Sequence, residues 1–206
     1  MENSQGYNIL TVGVGGQGVI RCTQILAAAA LEDGGNQVRT AETHGMAQRG
    51  GTVIGYLRFG PDVKGPLIHK ADIMLSFELS EALRNIKYAD KNTSLFVSND
   101  VIIPPSVYTY KIPYPEQGKT LEYLHKVTKN VHLIKAREMA EKAGNPRTSN
   151  VILIGVMFGA GKLPIKEESL KKAIAKFVPP KAKEVNEVAF KMGYELGKKI
   201  KEEFYD

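Results

Sequence analysis

The chain has no tryptophan, a single cysteine (Cys22), and aromatic residues at only 8% of its 206 positions. One cysteine cannot form an internal disulfide. Nor can it supply the thiolates of an iron–sulfur cluster or of a cysteine-based zinc centre. No stretch approaches the roughly 18 uninterrupted apolar residues that cross a bilayer. The polar start, Met1 to Asn8, lacks the charged-then-apolar build of a secretory signal. Histidines at 44, 69, 125 and 132 have no metal-ligand spacing, so no metal site is expected. These absences point to a reducing, cytoplasmic setting without membrane contact. What is present is ordinary globular material, 43% hydrophobic and 24% charged. That is enough for one core, and the length predicts a single domain over 1–206.

A net charge of +6 invites a nucleic-acid reading until it is located. Gly161 to Lys201 carries eleven basic against five acidic residues, whereas the tail holds Glu202, Glu203 and Asp206. The excess therefore belongs to a C-terminal helical region. There, lysines ordinarily form a solvated face, or a docking surface for an acidic or phosphate-bearing partner. No nucleic-acid motif accompanies them, and a nucleic-acid partner is not expected.

Along the chain, strands alternate with helices. Ile9 to Val12 is a short, partly β-branched apolar run that reads as a buried strand. It runs into the turn Gly13-Val14-Gly15-Gly16-Gln17-Gly18. Val19 to Leu31 then reads as an alanine-rich helix stopped by Gly34-Gly35, and Asn36 to Ala41 as a second strand. The connection length suits a parallel β-α-β pair. Gly51 to Phe59 is a further strand, fourth in order or an antiparallel neighbour, followed by strands at Ala71–Phe77, Ser94–Val97 and Val131–Ile134 and a helix at Glu78–Ile86. Ile103 to Gly118, with four prolines and three tyrosines (Tyr108, Tyr110, Tyr114), reads as an extended segment, either a partner-facing patch or cover for its own core edge. Ser149–Gly161 is apolar all round and predicts a buried helix, in which Gly155 and Gly159 admit another backbone. Amphipathic stripes over Glu167–Phe177 and Ala182–Ile200 complete a helical C-terminal third. The expected fold class is α/β: an open, mostly parallel sheet flanked by helices.

The glycine turn is the sharpest local feature. N–H groups at such a turn and at the following helix N-terminus form an anion-binding nest, which makes Gly15, Gly16, Gln17 and Gly18 candidate ligand-binding residues. Glu42 stands 24 residues beyond Gly18, near the distance at which a dinucleotide fold places its ribose-binding acid. On this ground a stand-alone nicotinamide- or flavin-dependent oxidoreductase is one reading. A coenzyme A or phosphate-binding module without catalysis is another, and a tight strand-to-helix turn with nothing bound a third. The following segment, Glu42-Thr43-His44-Gly45-Met46-Ala47-Gln48-Arg49-Gly50-Gly51, is neither helix-periodic nor strand-like. In a parallel sheet it lies at the carboxyl edge, where open α/β sheets bind ligands. Arg49 suits a carboxylate or phosphate, or pairs with Glu42 or Glu78 to brace the loop. His44 is a weak candidate proton shuttle, because histidine titrates near neutrality. Cys22, inside the first helix, reads as a packing residue.

Gly13-Val14-Gly15-Gly16-Gln17-Gly18 together with His44-Gly45-Met46-Ala47-Gln48-Arg49-Gly50-Gly51 resembles the gamma-type subunit or domain of 2-oxoacid:ferredoxin oxidoreductases, and among these the small (beta) subunit of the indolepyruvate type. Arg58-Phe59-Gly60, Pro66-Leu67-Ile68, Ala71-Asp72, Phe77-Glu78, Glu81-Ala82-Leu83-Arg84, Asn150 with Leu153-Ile154-Gly155, and Asn186 with Ala189-Phe190 and Gly193 extend the likeness over nearly the whole chain. The resemblance implies an accessory subunit, inactive alone, of an enzyme that oxidatively decarboxylates an aryl pyruvate or other 2-oxoacid to an acyl-CoA and passes electrons to ferredoxin. Thiamine diphosphate, Mg²⁺ and iron–sulfur clusters would then sit on a large partner subunit, with coenzyme A as substrate. In keeping with this, the chain has no Gly-Asp-Gly followed by the asparagine of a thiamine site. The resemblance further implies that Gly15, Gly16, Gln17 and Gly18 form the turn, while His44, Gln48 and Arg49 line the same edge, near coenzyme A or the rim of the partner's active site.

Overall fold

The computed structural model describes residues 6–34, 37–44, 51–101, 111 and 113–205. Its centre is a six-stranded sheet of β1 (Tyr7–Val14), β2 (Gln37–His44), β3 (Thr52–Gly60), β4 (Ile73–Ser76), β5 (Ser94–Ser98) and β6 (Val131–Ile134), in the spatial order β2-β3-β1-β4-β5-β6. β1, β4, β5 and β6 run parallel, whereas β3 is antiparallel to both β1 and β2. The sheet is thus open and mostly parallel, with an antiparallel hairpin on one flank.

The period-2 geometry of a strand sends successive side chains to opposite faces, and β1 shows this at its most buried. Ile9 joins a cluster with Leu57, Ile73, Leu75 and Phe96, while Leu10 and Val12 join one with Tyr56, Met74, Leu95 and Val97. The first face is covered by α1 (Val19–Glu32), α4 (Ala136–Lys142), α5 (Ser149–Gly159), α6 (Glu167–Phe177) and α7 (Lys183–Phe204); the second by α2 (Leu79–Arg84) and α3 (Gln117–Val127). Cys22 packs fully buried in the first cluster, and burial pushes its thiol well above the ordinary range.

The expected parallel pairing of the first two strands is not formed. β3 lies between them, so β1 and β2 share a direction without sharing hydrogen bonds. Side-chain character accounts for the order. β3 buries Val53, Tyr56, Leu57 and Phe59, as an interior strand must, while β2 exposes Gln37, Arg39, Thr40, Glu42 and Thr43, which suits a solvated edge.

The C-terminal helices pack through glycine. A Cβ at Gly155 would come within 2.5 Å of the Phe190 carbonyl oxygen, and one at Gly159, Gly193 or Gly197 would collide with a carbonyl of the facing helix, that of Tyr194, Ile152 or Val156. The apolar α5 (SNVILIGVMFG) is therefore pressed directly against the backbone of α7. Because those backbones cannot move independently of their hydrogen bonds, Gly193→Ala is expected to destabilise the chain by about 1–3 kcal/mol, the usual cost of overpacking. A lowered midpoint of urea unfolding at unchanged slope is the expected result; an unchanged midpoint would contradict the glycine seam.

Candidate functional site

β1 continues through α1 toward β2 on one flank, and β4 continues through α2 toward β5 on the other. The chains leaving these neighbouring strands diverge, and the crevice outside their carboxyl ends is the switch point where open α/β sheets hold ligands. The glycine turn occupies it. Gly16 and Gly18 adopt φ of 103° and 88°, left-handed conformations that glycine takes without penalty. Gly18 serves as the N-cap of α1. Two polar ties hold the turn. The Gly15 N–H donates to the Gly51 carbonyl (2.9 Å), and the Gln17 carboxamide bridges the strand tips: Oε1 accepts from Val14 N–H (2.7 Å) and Nε2 donates to the Phe77 carbonyl (2.8 Å). Gln17, a candidate ligand-binding residue, spends its acceptor and one donor on joining β1 to the end of β4.

His44 closes β2 in register with Val53, which pairs on its other side with Gly13. The chain thus leaves at His44 and returns at Gly51 on the same edge as the glycine turn. Gln48 and Arg49, with Met46, lie outside the described residues, as do Tyr108 and Tyr110. Glu42 sits on the edge strand. With β3 interposed it is two strand spacings, about 10 Å, from β1. A ribose-binding acid in a dinucleotide fold stands one spacing away, so this geometry disfavours that reading. Arg58 and Asp72, also singled out in the sequence, meet Asn8 at the opposite end of the sheet. Arg58 Nε donates to Asn8 Oδ1 (2.8 Å), and Asn8 N–H donates to Asp72 Oδ2 (2.8 Å). They brace the far edge and take no part in the rim.

A shallow groove of about 400 Å³ runs along the turn, lined by Val14, Gly15, Gly16 and Gly18 with Arg21, Gln24 and Val53. Among the described residues no acceptor meets the N–H groups of Gly16, Gly18, Val19, Ile20 or Arg21. The Arg21 guanidinium lies 5.5 Å from the Phe177 ring centroid, a cation–π contact that holds it beside the groove. Chemically this is an anion cradle without a nucleophile.

Two buried carboxyls that sequence reasoning had not singled out for chemistry border the other side. Glu78 and Glu81 are 0% and 1% exposed. Glu78 caps α2, accepting from Ser80 Oγ (2.5 Å) and Glu81 N–H (3.0 Å), and it also accepts from the Tyr114 hydroxyl. The Tyr114 side chain is therefore turned toward the start of α2. Burial pushes the Glu78 carboxyl above the ordinary glutamate range against these hydrogen bonds. For Glu81, burial acts the same way and the charge of Glu78 adds to it, against a hydrogen bond from Thr52 and the charge of Arg84. Arg84 Nε lies 3.2 Å from Glu81 Oε1, while Glu81 Oε2 is buried without a hydrogen-bond partner. An i, i+3 acid pair on a short helix looks like a solvated face from sequence alone, and only the fold reveals its burial.

Cys22 is the only cysteine of the whole chain and is sealed in the core. Among the described residues no three His, Cys, Asp or Glu side chains gather as metal ligands, and no helix is long and apolar enough to cross a membrane.

The fold is that of solved gamma subunits of ketoacid ferredoxin oxidoreductases. The gamma subunit of the keto/oxoacid ferredoxin oxidoreductase from Geobacter sulfurreducens superposes with a TM-score of 0.68 at 21% identity, covering 94% of this chain and 99% of that one. The pyruvate oxidoreductase subunit PORC from Thermotoga maritima does so at 0.68 and 22%, covering 93% and 96%. The chain belongs to the pyruvate ferredoxin/flavodoxin oxidoreductase family, whose profile matches residues 8–196. It is 45% identical over 189 residues to the indolepyruvate oxidoreductase subunit IorB of Archaeoglobus fulgidus, covering 91% of this chain and 93% of the relative. The IorB of Thermococcus kodakarensis is 40% identical over 201 residues, covering 94% and 97%. Nothing in these likenesses favours a stand-alone dinucleotide enzyme.

The buried acids make a checkable statement about stability. A carboxyl whose folded pKa is raised above its unfolded value stabilises the fold below the ordinary glutamate range, and that contribution is lost as pH rises through the raised pKa. Glu81→Gln, which cannot ionise, is expected to flatten this decline in urea unfolding measured from pH 4 to 8. Parallel curves for the two proteins would show that Glu81 is not shifted.

Proposed function

We propose that this chain is the small, accessory subunit of an indolepyruvate-type 2-oxoacid:ferredoxin oxidoreductase. In that assembly an aryl pyruvate is oxidatively decarboxylated to an acyl-CoA and electrons pass to ferredoxin. The sequence likeness to the IorB subunits, across nearly the full length of both chains, supports the indolepyruvate assignment. The observation that carries the reading at the site is the hydrogen bond from Gly15 to Gly51, which ties the glycine turn to the return of the His44–Gly51 segment on one rim. Such a rim holds and orients a ligand; it contains no group that performs redox chemistry. Thiamine diphosphate, Mg²⁺ and the iron–sulfur clusters accordingly belong to a large partner subunit, and the working compartment is the cytoplasm. Residues 1–206 act as one domain. In this reading the N–H groups of Gly15, Gly16 and Gly18, with Gln48 and Arg49, face coenzyme A or the rim of the partner's active site. His44 is at most a proton carrier there.

Co-expression with the candidate large subunit tests this directly. Viologen-linked oxidation of indolepyruvate in the presence of coenzyme A is expected from the pair and not from either chain alone. Equal turnover by the large subunit without this chain would refute the assignment.

A further inference from the structure

α6 packs chiefly on α1 and α7 on α5, and a groove of about 560 Å³ opens between the two helices. Its floor is apolar. Ile174 and Phe190 are nearly buried there, while Val178 and Tyr194 are half-buried. The Phe190 and Tyr194 rings stack with centroids 6.5 Å apart and planes 12° from parallel. Charged residues rim this floor. On the α6 side Lys171 and Glu167 satisfy each other at 2.7 Å. On the α7 side Lys183, Glu187, Lys191 and Glu195 recur every fourth residue with alternating sign, all of them exposed. Glu195 lies 3.5 Å from Lys198. Among the described residues Lys183, Glu187 and Lys191 form no ion pair, although their i, i+4 spacing would allow two. Val188, 47% exposed, stands beside them.

A row of the form Lys-Glu-Lys-Glu, turned end for end, presents Glu-Lys-Glu-Lys. A second α7 laid antiparallel on the first therefore sets Lys183 against Glu195 and Glu187 against Lys191, each pair twice, about a two-fold axis level with Ala189. A parallel copy in register sets lysine against lysine and glutamate against glutamate. Shifted by one turn, a parallel copy matches the charges but makes a head-to-tail contact that does not close into a dimer. A row at i±4n is also the ridge that interdigitates in the commonest class of helix packing, which crosses at about 50° and lays two such rows along each other. A partner helix of one charge sign would meet only half of the row favourably. From this pattern we infer that the α6–α7 face binds a second copy of this chain, α7 against α7 and antiparallel. The apolar floor supplies the affinity, and the charges fix direction and register. The inference does not depend on the proposed function.

Sedimentation velocity of the full-length chain over a concentration series tests this. The native chain is expected to pass from monomer to dimer, and added salt to shift it back toward monomer. Glu187→Lys and Lys191→Glu each create two like-charge contacts across the axis. Each should raise the dimer Kd by about tenfold or more, with an unchanged unfolding midpoint. The double variant exchanges the two signs and should recover the native Kd. Mixing the two single variants should give a heterodimer tighter than either homodimer, because each chain supplies the charge that the other lacks. That crossed rescue requires Glu187 of one copy to face Lys191 of another, and no defect in folding imitates it. A native chain that stays monomeric at every concentration would overturn the proposal. So would a dimer indifferent to both single variants, or one weakened by them and not restored by mixing. A monomeric chain whose binding to the large subunit is lost in Lys191→Glu would assign the groove to that subunit and likewise remove the self-paired face.

Discussion

The carboxyl edge depends on holding two strand tips together while the chains that follow them diverge. β1 and β4 are neighbours, yet one leads to α1 and the other to α2, and past the main-chain hydrogen bond from Phe77 N–H to the Val12 carbonyl (2.9 Å) the sheet ladder no longer joins them. Gln17 joins them instead. Its carboxamide is the right length to accept from Val14 and donate to Phe77, but only because the turn folds the side chain back under itself. That fold-back needs the left-handed conformations of Gly16 and Gly18. At Gly13 a side chain would fall within 3 Å of Gln17 Oε1, Val19 and Phe77, so the brace and the missing side chain require each other. The spacing of glycines around one glutamine is thus the record of a mechanical joint, and the free N–H groups at the start of α1 are a by-product of its geometry.

Strand identity and burial were legible in the sequence because they follow from local periodicity. Ile9 to Val12, Ala71 to Phe77, Ser94 to Val97 and Val131 to Ile134 all contain strands, and the buried helix over Ser149–Gly161 is present as α5. Spatial order was less accessible. Two strands joined by a helix suggest adjacency, yet whether a later strand inserts between them depends on a hairpin whose partners are far apart in sequence. The hint was compositional: the polar run Gln37–Thr43 could tolerate an edge, while GTVIGYLRF could not. The helices at Gln117–Val127 and Ala136–Lys142 were not anticipated, for they are polar and short, with only Thr120 and Leu124 buried in one and Ala136 and Ala140 in the other. Their apolar stripes are too thin to register as a period. At the site, the glycine turn was readable from its own letters. The burial of Glu78 and Glu81 was not, since charge in a helix is normally a sign of solvent.

Part of the positive charge of the C-terminal third is paired at the surface. Lys171 pairs with Glu167 and Lys198 with Glu195, both at helical spacing with their side chains in solvent, and such pairs add little stability. The strength of that region comes from the opposite face, where the glycines of α5 and α7 let main chain meet main chain. α5 is consequently fixed along its length, and its first turn, with Asn150, is presented to Gly18 by a rigid element. A site built on helices held this way keeps its geometry better than one built on loops.

The rim is electrically asymmetric, and the asymmetry follows from where the chain turns. On the α1 and α5 side the exposed partial charges are those of N–H groups, reinforced by Arg21. On the α2 side stand two carboxyls withdrawn from water, one of them with an oxygen that no donor meets. Burying an acid without full pairing costs free energy; at Glu78 the cost is offset by capping α2, and at Glu81 it is met only in part by Arg84. In the proposed function this edge discriminates between charges. There a phosphate would be favoured by the N–H groups of the turn and repelled by a carboxyl opposite when that carboxyl is ionised. The thin strip between them is spanned by Gln17, whose brace is neutral and internally satisfied. In the proposed function a ligand held there is oriented by the field of the edge as well as by contact. In the proposed function an accessory chain serves its partner's active site in that way, by fixing which end of a charged substrate points inward.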